Sequence, residues 1–312
     1  MQVWPKTRIR IHLALALLLG AGGLGFGVIA LASWPIGLAL APTLASVAAW
    51  WGTGRFVRRR RLLATPFPDA WRRVLERRVD FYRKLDPAGR ARFEADVRIF
   101  LAEQHIYGVH GSEAIVDDEI RLLIASSAAM LGHGLPDFEW PRMRDIVVYP
   151  GSFDEEYRQD GEQPNIAGMV HAQGPILYSA RDLRLGFRRH DGHNVGLHEL
   201  AHVLDFADGH ADGMPVGASW SSNAPWLEIV GDRLERLRKA RKADRSPLRE
   251  YAGTNEAEFF AVATETYFLR PLALAAEHPA LAAILDDYYR ADLDPSPLVI
   301  DNTPNSFTLR WN

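Results

Sequence analysis

The chain has no cysteine among its 312 residues. That excludes a disulfide framework, a thiolate metal ligand and a cysteine nucleophile, so any metal must be held by His, Asp or Glu. The first 62 residues also lack Asp and Glu. They carry eight of the 36 basic residues, which leaves 28 basic against 39 acidic residues in the remainder, a net of −11. An acidic body argues against nucleic acid as a partner, because phosphate binding needs a concentrated basic face and the basic clusters here only flank a hydrophobic N-terminus. With 47% hydrophobic and 24% charged residues, the chain has the composition of a folded protein.

The longest absence is of charge. From Ile11 to Gly54, 44 residues pass without Asp, Glu, Lys or Arg, about twice the roughly 20 apolar residues that cross a hydrocarbon core. Trp34-Pro35 divides this run into candidate spans Ile11–Ser33 and Ile36–Val57, with Trp4, Trp34, Trp50 and Trp51 at interface-like positions. The pattern predicts a two-helix transmembrane hairpin over residues 1–62, followed by one domain over 63–312. Positive charge at Lys6–Arg10 and Arg55–Arg61 then places that domain on the cytoplasmic side of the inner membrane, in a multi-pass arrangement. A cleaved signal peptide ending near Ala30-Leu31-Ala32 competes with this reading. The second uncharged stretch and its arginine cluster stand against it.

Past a Pro-containing linker at Ala64–Pro68, Asp69–Leu85 and Pro87–Gln104 read as helices, the second opened by Asp86 with Pro87 at its first position. Asp117–Leu131 is a further helix. Ile146–Tyr149 reads as a strand, and Ile166–His171 and Pro175–Tyr178 as a hairpin whose run Gly174–Ser179 offers an edge to a peptide. Helices follow at Asn194–Phe206 and Glu256–Leu269, and Pro295–Asn312 reads as an extended tail. The expected class is α+β, a mostly helical domain with a small β-sheet.

Within Val195–Asp205 lies His198-Glu199-Leu200-Ala201-His202, an H-E-x-x-H run in an apolar, proline-free helix. Positions i and i+4 put both imidazoles on one face, where they can hold one Zn²⁺, with Glu199 turned toward the metal's water as general base. Zinc lowers the pKa of its water and polarises a carbonyl, which suits peptide bond hydrolysis. Chance occurrence in such a sequence is about a few per cent, and two unliganded histidines beside a glutamate would be costly in so apolar a helix.

A third ligand has two sources. Asp208 lies six residues past His202, where H-E-x-x-H-x-x-G-x-x-H proteins place a histidine, but Asp205 fills the glycine slot of that pattern. Alternatively, Tyr251–Glu265 supplies Glu258 and Glu265, seven apart on one face of an apolar helix, one to ligate and one to orient a ligand. Asp205, at i+3 from His202, reads as an orienting or capping acid. His190, His193 and His210 read as surface or loop histidines, and Arg181–Arg189 as a solvated basic stretch.

These residues carry a resemblance. His198–Asp205 and Tyr251–Phe268, with looser matches from Phe67 onward and at Gly174-Pro175-Ile176-Leu177, resemble the Mlc titration factor A family of zinc peptidases. The resemblance implies a gluzincin, with zinc on His198, His202 and Glu258, Glu199 as general base, and Tyr251 as a donor to the developing oxyanion. Asn255-Glu256 departs from that family's usual Asp-Pro and adds an acid near the ligand position. It also implies a second reading, in which the chain is a zinc-containing binding module that sequesters a transcriptional repressor at the membrane rather than cutting a peptide or protein substrate. A fourth protein ligand such as Asp205 would mark that closed, structural kind of site.

Overall fold

The computed structural model describes residues 6–29 and 34–208, with breaks at 110, 112, 136–137, 142, 144, 161–164, 172–173 and 190, then 213, 231, 248 and 250–290. The expected tail at Pro295–Asn312 lies outside the described residues. The chain divides into two compact units, Gln2–Pro66 and the residues from Phe67 onward.

The first unit is a pair of antiparallel helices, α1 (Lys6–Ile29) and α2 (Trp34–Leu63). They approach closely where side chains are missing: a Cβ on Gly20 would stand 3.1 Å from the carbonyl of Ala41, and one on Gly52 would stand 2.8 Å from His12. Among the described residues no helix is long and apolar enough to cross a membrane. This overturns the expected transmembrane hairpin, and the multi-pass inner-membrane placement with a cytoplasm-facing domain goes with it. The uncharged run is divided between two helices that also take in its charged flanks: α1 begins on Lys6, Arg8 and Arg10, and α2 carries Pro42 and ends among arginines, so neither is apolar along its whole length.

The second unit runs α3 (Asp69–Arg78), α4 (Asp80–Lys84), α5 (Pro87–Glu103), β1 (Ile106–Gly108), α6 (Asp118–Gly132), β2 (Ile146–Tyr149), β3 (Gly168–Val170), β4 (Ile176–Ser179), α7 (Ala180–Gly186), α8 (Val195–Asp205), α9 (Glu256–Leu269), α10 (Pro271–Glu277) and α11 (Pro279–Arg290). It is mostly helical with one small sheet. The helix expected over Asp69–Leu85 is two, because Val79 adopts an extended conformation (φ −111°, ψ 96°) and turns its branched side chain into the core.

Side-chain caps start the helices that matter for the site. Asp86 accepts from the N–H of Gly89 (2.6 Å), Asp117 from Ile120 (2.9 Å), and Asn194 from Leu197 (3.1 Å). α6, apolar on nearly every face, is buried along its length and touches α3, α5, α7 and α8. The sheet order is β1-β2-β4-β3, the first three strands parallel and β3 antiparallel at the edge. α8 packs against β3 and β4, and α9 against α8.

One buried group ties folding to pH. His133 closes α6 edge-on to Phe81, ring centres 5.4 Å apart, and its Nδ1 has no hydrogen-bond partner among the described residues. Burial, with repulsion from Arg92 added, holds its imidazole down at about 4. A depressed imidazole binds its proton more tightly when unfolded, so its contribution is complete above about pH 6.5 and is lost as pH falls toward 4. Chemical denaturation at pH 7 and 4.5 should show about 2 kcal/mol lost from this group, a loss that His133→Leu removes.

Candidate metal centre

Every residue of α8 is buried, so its polar side chains face neighbouring elements rather than solvent. His198 and His202 stand one turn apart with ring centres 4.9 Å apart and planes nearly perpendicular. α9, capped by Asn255 through the N–H of Glu258 (2.9 Å), brings Glu258 to both imidazoles. Its Oε2 lies 3.1 Å from His198 Nε2 and its Oε1 lies 3.5 Å from His202 Nε2. The three candidate ligand atoms fall within 4.8 Å of one another, and Asp205 is not a member of the group.

Two turns further along α9, Glu265 is fully buried. Its Oε1 takes the Nδ1–H of His198 at 2.6 Å, and its Oε2 takes the backbone N–H of Asn194 at 2.6 Å and His193 Nδ1 at 3.0 Å. With Nδ1 committed in this network, His198 presents Nε2 to Glu258.

The electrostatics describe a cluster in need of positive charge. Burial works to lower the His198 imidazole, but Glu265 and Glu258 overcome it and hold it at about 10. Burial works to raise Glu258, and hydrogen bonds from His198 and His202 bring it down to about 2. Glu199 is shifted upward, by burial first, against the pull of the two imidazoles and with help from Glu258 and Glu265. A carboxylate moved up in this way is better matched to taking a proton near neutral pH.

The edge strand lies over Glu199. A Cβ on Gly168 would stand 2.7 Å from both Cγ and Oε1 of Glu199 and 2.5 Å from Val195, so only glycine lets β3 pass this close. Ala167 turns its carbonyl toward β4, accepting from Ser179 at 2.8 Å, so alternation turns the backbone of Gly168 and Val170 outward. Ile166 uses that outer side to exchange hydrogen bonds with Phe153. Among the described residues it is therefore β3, not the run Gly174–Ser179 expected from the sequence, that ends the sheet on this side. β4 lies inside the sheet, between β2 and β3.

Of the other candidates, Glu256 is exposed at the start of α9 while Glu258 faces the imidazoles. Asp205 is buried one turn past His202. Tyr251 and Asp208 fall in short 3-10 turns, and their side chains lie outside the described residues, as do His190 and His210. His193 is not simply a loop histidine, since it joins the Glu265 network; its only signal in the sequence is its place just before the Asn194 cap. Arg184 pairs with Asp117 and Glu119 at 2.8 and 3.2 Å, which ties α7 to α6.

Two nitrogens and one carboxylate oxygen converging from buried helices, with a second carboxylate fixing one imidazole, form a donor set that fits a divalent metal. Set beside Glu199 and the edge strand β3, this donor set fits the metallopeptidase class. The chain belongs to the Peptidase_M90 family, the glucose-regulated metallo-peptidases M90, which it matches over residues 54–290. It is similar to uncharacterized protein slr2042 of Synechocystis sp., 32% identical over 273 residues that cover 82% of this chain and 96% of that protein. It is also similar to the Mlc titration factor A proteins of Salmonella gallinarum and Salmonella arizonae. Both are 27% identical, covering 65% of this chain and 79% and 83% of those proteins.

Removing Glu265 strands a buried N–H at Asn194 and the Nδ1–H of His198. Glu265→Ala is expected to lower folding stability by about 3 kcal/mol, read from denaturant unfolding at neutral pH.

Proposed function

We propose that the chain is a zinc-dependent peptidase. The observation that carries this reading is the group of three ligand atoms found among the described residues, with Glu199 beside it. His198, His202 and Glu258 would hold the ion, which would replace the proton that the carboxylates now draw onto His198. When bound, zinc supplies Lewis acidity that acidifies water and polarises the scissile carbonyl.

The protein's own groups do the rest. An extended peptide pairs with the outward backbone of Gly168 and Val170 and so crosses over Glu199. Glu199 takes the proton of the attacking water and passes it to the leaving amine. Tyr251, by the family resemblance, donates to the oxyanion. Glu265 keeps His198 in one tautomer, and Asp205 steadies the helix turn that carries His202.

A second reading rests on the name of the Salmonella relatives, which speaks of titrating Mlc. In that reading the same centre is structural and the surface captures a transcriptional repressor.

The test uses the purified full chain with Glu258→Ala and Glu199→Gln, measuring zinc content and cleavage of a mixed peptide library in the same samples. Glu258→Ala is expected to lose zinc. Glu199→Gln is expected to keep it and to cut at least about 100-fold more slowly. Stoichiometric zinc without cleavage in the parent would favour the binding module.

A further inference from the structure

After α8 the chain reaches the start of α9 at Gly213, which adopts a left-handed backbone, φ 73°, that a side chain would strain. A Cβ there would also stand 2.5 Å from the carbonyl oxygen of Glu256 and 2.8 Å from its carbonyl carbon. Both atoms belong to the backbone of the first turn of α9, so no change of rotamer relieves the clash. To restore a contact of 3.0 Å, the turn must move by about half an ångström. Glu258 stands two residues further along that turn, its N–H capped by Asn255 at 2.9 Å and its two oxygens divided between His198 and His202. Metal–ligand distances hold to within about 0.2 Å, so a shift of this size exceeds what the centre tolerates. Toward the other end of α9, Glu265 fastens the helix to the start of α8 through the N–H of Asn194. The Gly213 contact is the second fastening, and it falls on the turn that carries the candidate ligand.

We infer that Gly213 is a positioning residue for Glu258: the backbone at this glycine seats the first turn of α9 at the depth from which the Glu258 carboxylate reaches both imidazoles. Two separate demands, the left-handed conformation and the approach to the Glu256 carbonyl, converge on one residue, and the second acts on the centre. Gly111 supplies the comparison, since it has a similar φ of 81° but open space where a Cβ would stand. The inference rests on the reading of His198, His202 and Glu258 as a metal centre, and it concerns a residue that touches neither metal nor substrate.

The test compares Gly213→Ala with Gly111→Ala in the full chain, reading the zinc dissociation constant by competition with a chromophoric chelator and the visible absorption bands of the Co²⁺-loaded protein. Gly213→Ala is expected to weaken zinc at least about tenfold and to shift the Co²⁺ bands. Gly111→Ala, which carries backbone strain alone, is expected to lose stability and leave both readouts as in the parent. Gly213→Asn carries the test where Gly213→Ala does not fold, because Asn enters the left-handed region at less cost and still sets a Cβ against Glu256. Parent-like zinc affinity and Co²⁺ bands in a folded Gly213 variant would overturn the inference. So would failure of both Gly213 variants to fold, which would make the glycine a requirement of the fold at large. If the parent binds no zinc, the metal reading falls. A metal-free unfolding cycle of Gly213→Ala and Glu258→Gln then decides this inference alone, a coupling of at least about fivefold in the equilibrium constant supporting it and additivity overturning it.

Discussion

The carboxylate of Glu265 divides its two oxygens between the imidazole of His198 and the backbone N–H of Asn194, and both halves of the site follow from that division. One oxygen fixes which nitrogen of His198 is presented to Glu258. The other holds the residue that caps α8, so the helix carrying both histidines starts where α9 dictates. Because Glu258 and Glu265 share one face of α9, a single helix supplies the candidate ligand, the group that orients its partner and the fastening between the two elements.

Such a cluster is expensive in the metal-free chain. Three carboxylates and two imidazoles lie in or beside the core, and burial alone would neutralise them all. What the structure has instead is mutual support, with His198 held protonated by its glutamates and Glu258 held ionised by its histidines. A site that must borrow a proton to balance its charge is one into which a divalent cation fits. The arrangement is stable enough to persist because α8 and α9 are sheathed by apolar residues of the same core.

The sheet contributes position rather than ligands. Three strands run parallel, while β3 turns back as an antiparallel edge and passes over Glu199 at a glycine. The outward backbone of that edge thus passes beside the Glu199 carboxylate.

The H-E-x-x-H spacing, the acid pair seven apart and the cap at Asp86 could all be read from the chain, because each is a short-range consequence of helical geometry. So could the mostly helical α+β class. The uncharged N-terminal run misled, since counting missing charges ignores where helices begin and end: α1 takes in Lys6–Arg10 and α2 the arginines from Arg55, and no described helix is long and apolar enough to span a membrane. The break at Val79, the short strand β1 and the edge position of β3 had no local signal, because which residues turn inward and which strand ends a sheet depend on neighbours distant in the chain. The choice among carboxylates was likewise tertiary. Glu256, Glu258, Glu265 and Asp208 were all acids near a histidine pair in sequence. Only the packing of α9 on α8 brought Glu258 to the imidazoles and Glu265 behind them. The sequence by itself determined which chemistry one helix could carry; the tertiary structure decided which distant groups complete it, because a bond between residues 198 and 265 exists only once the core between them has closed.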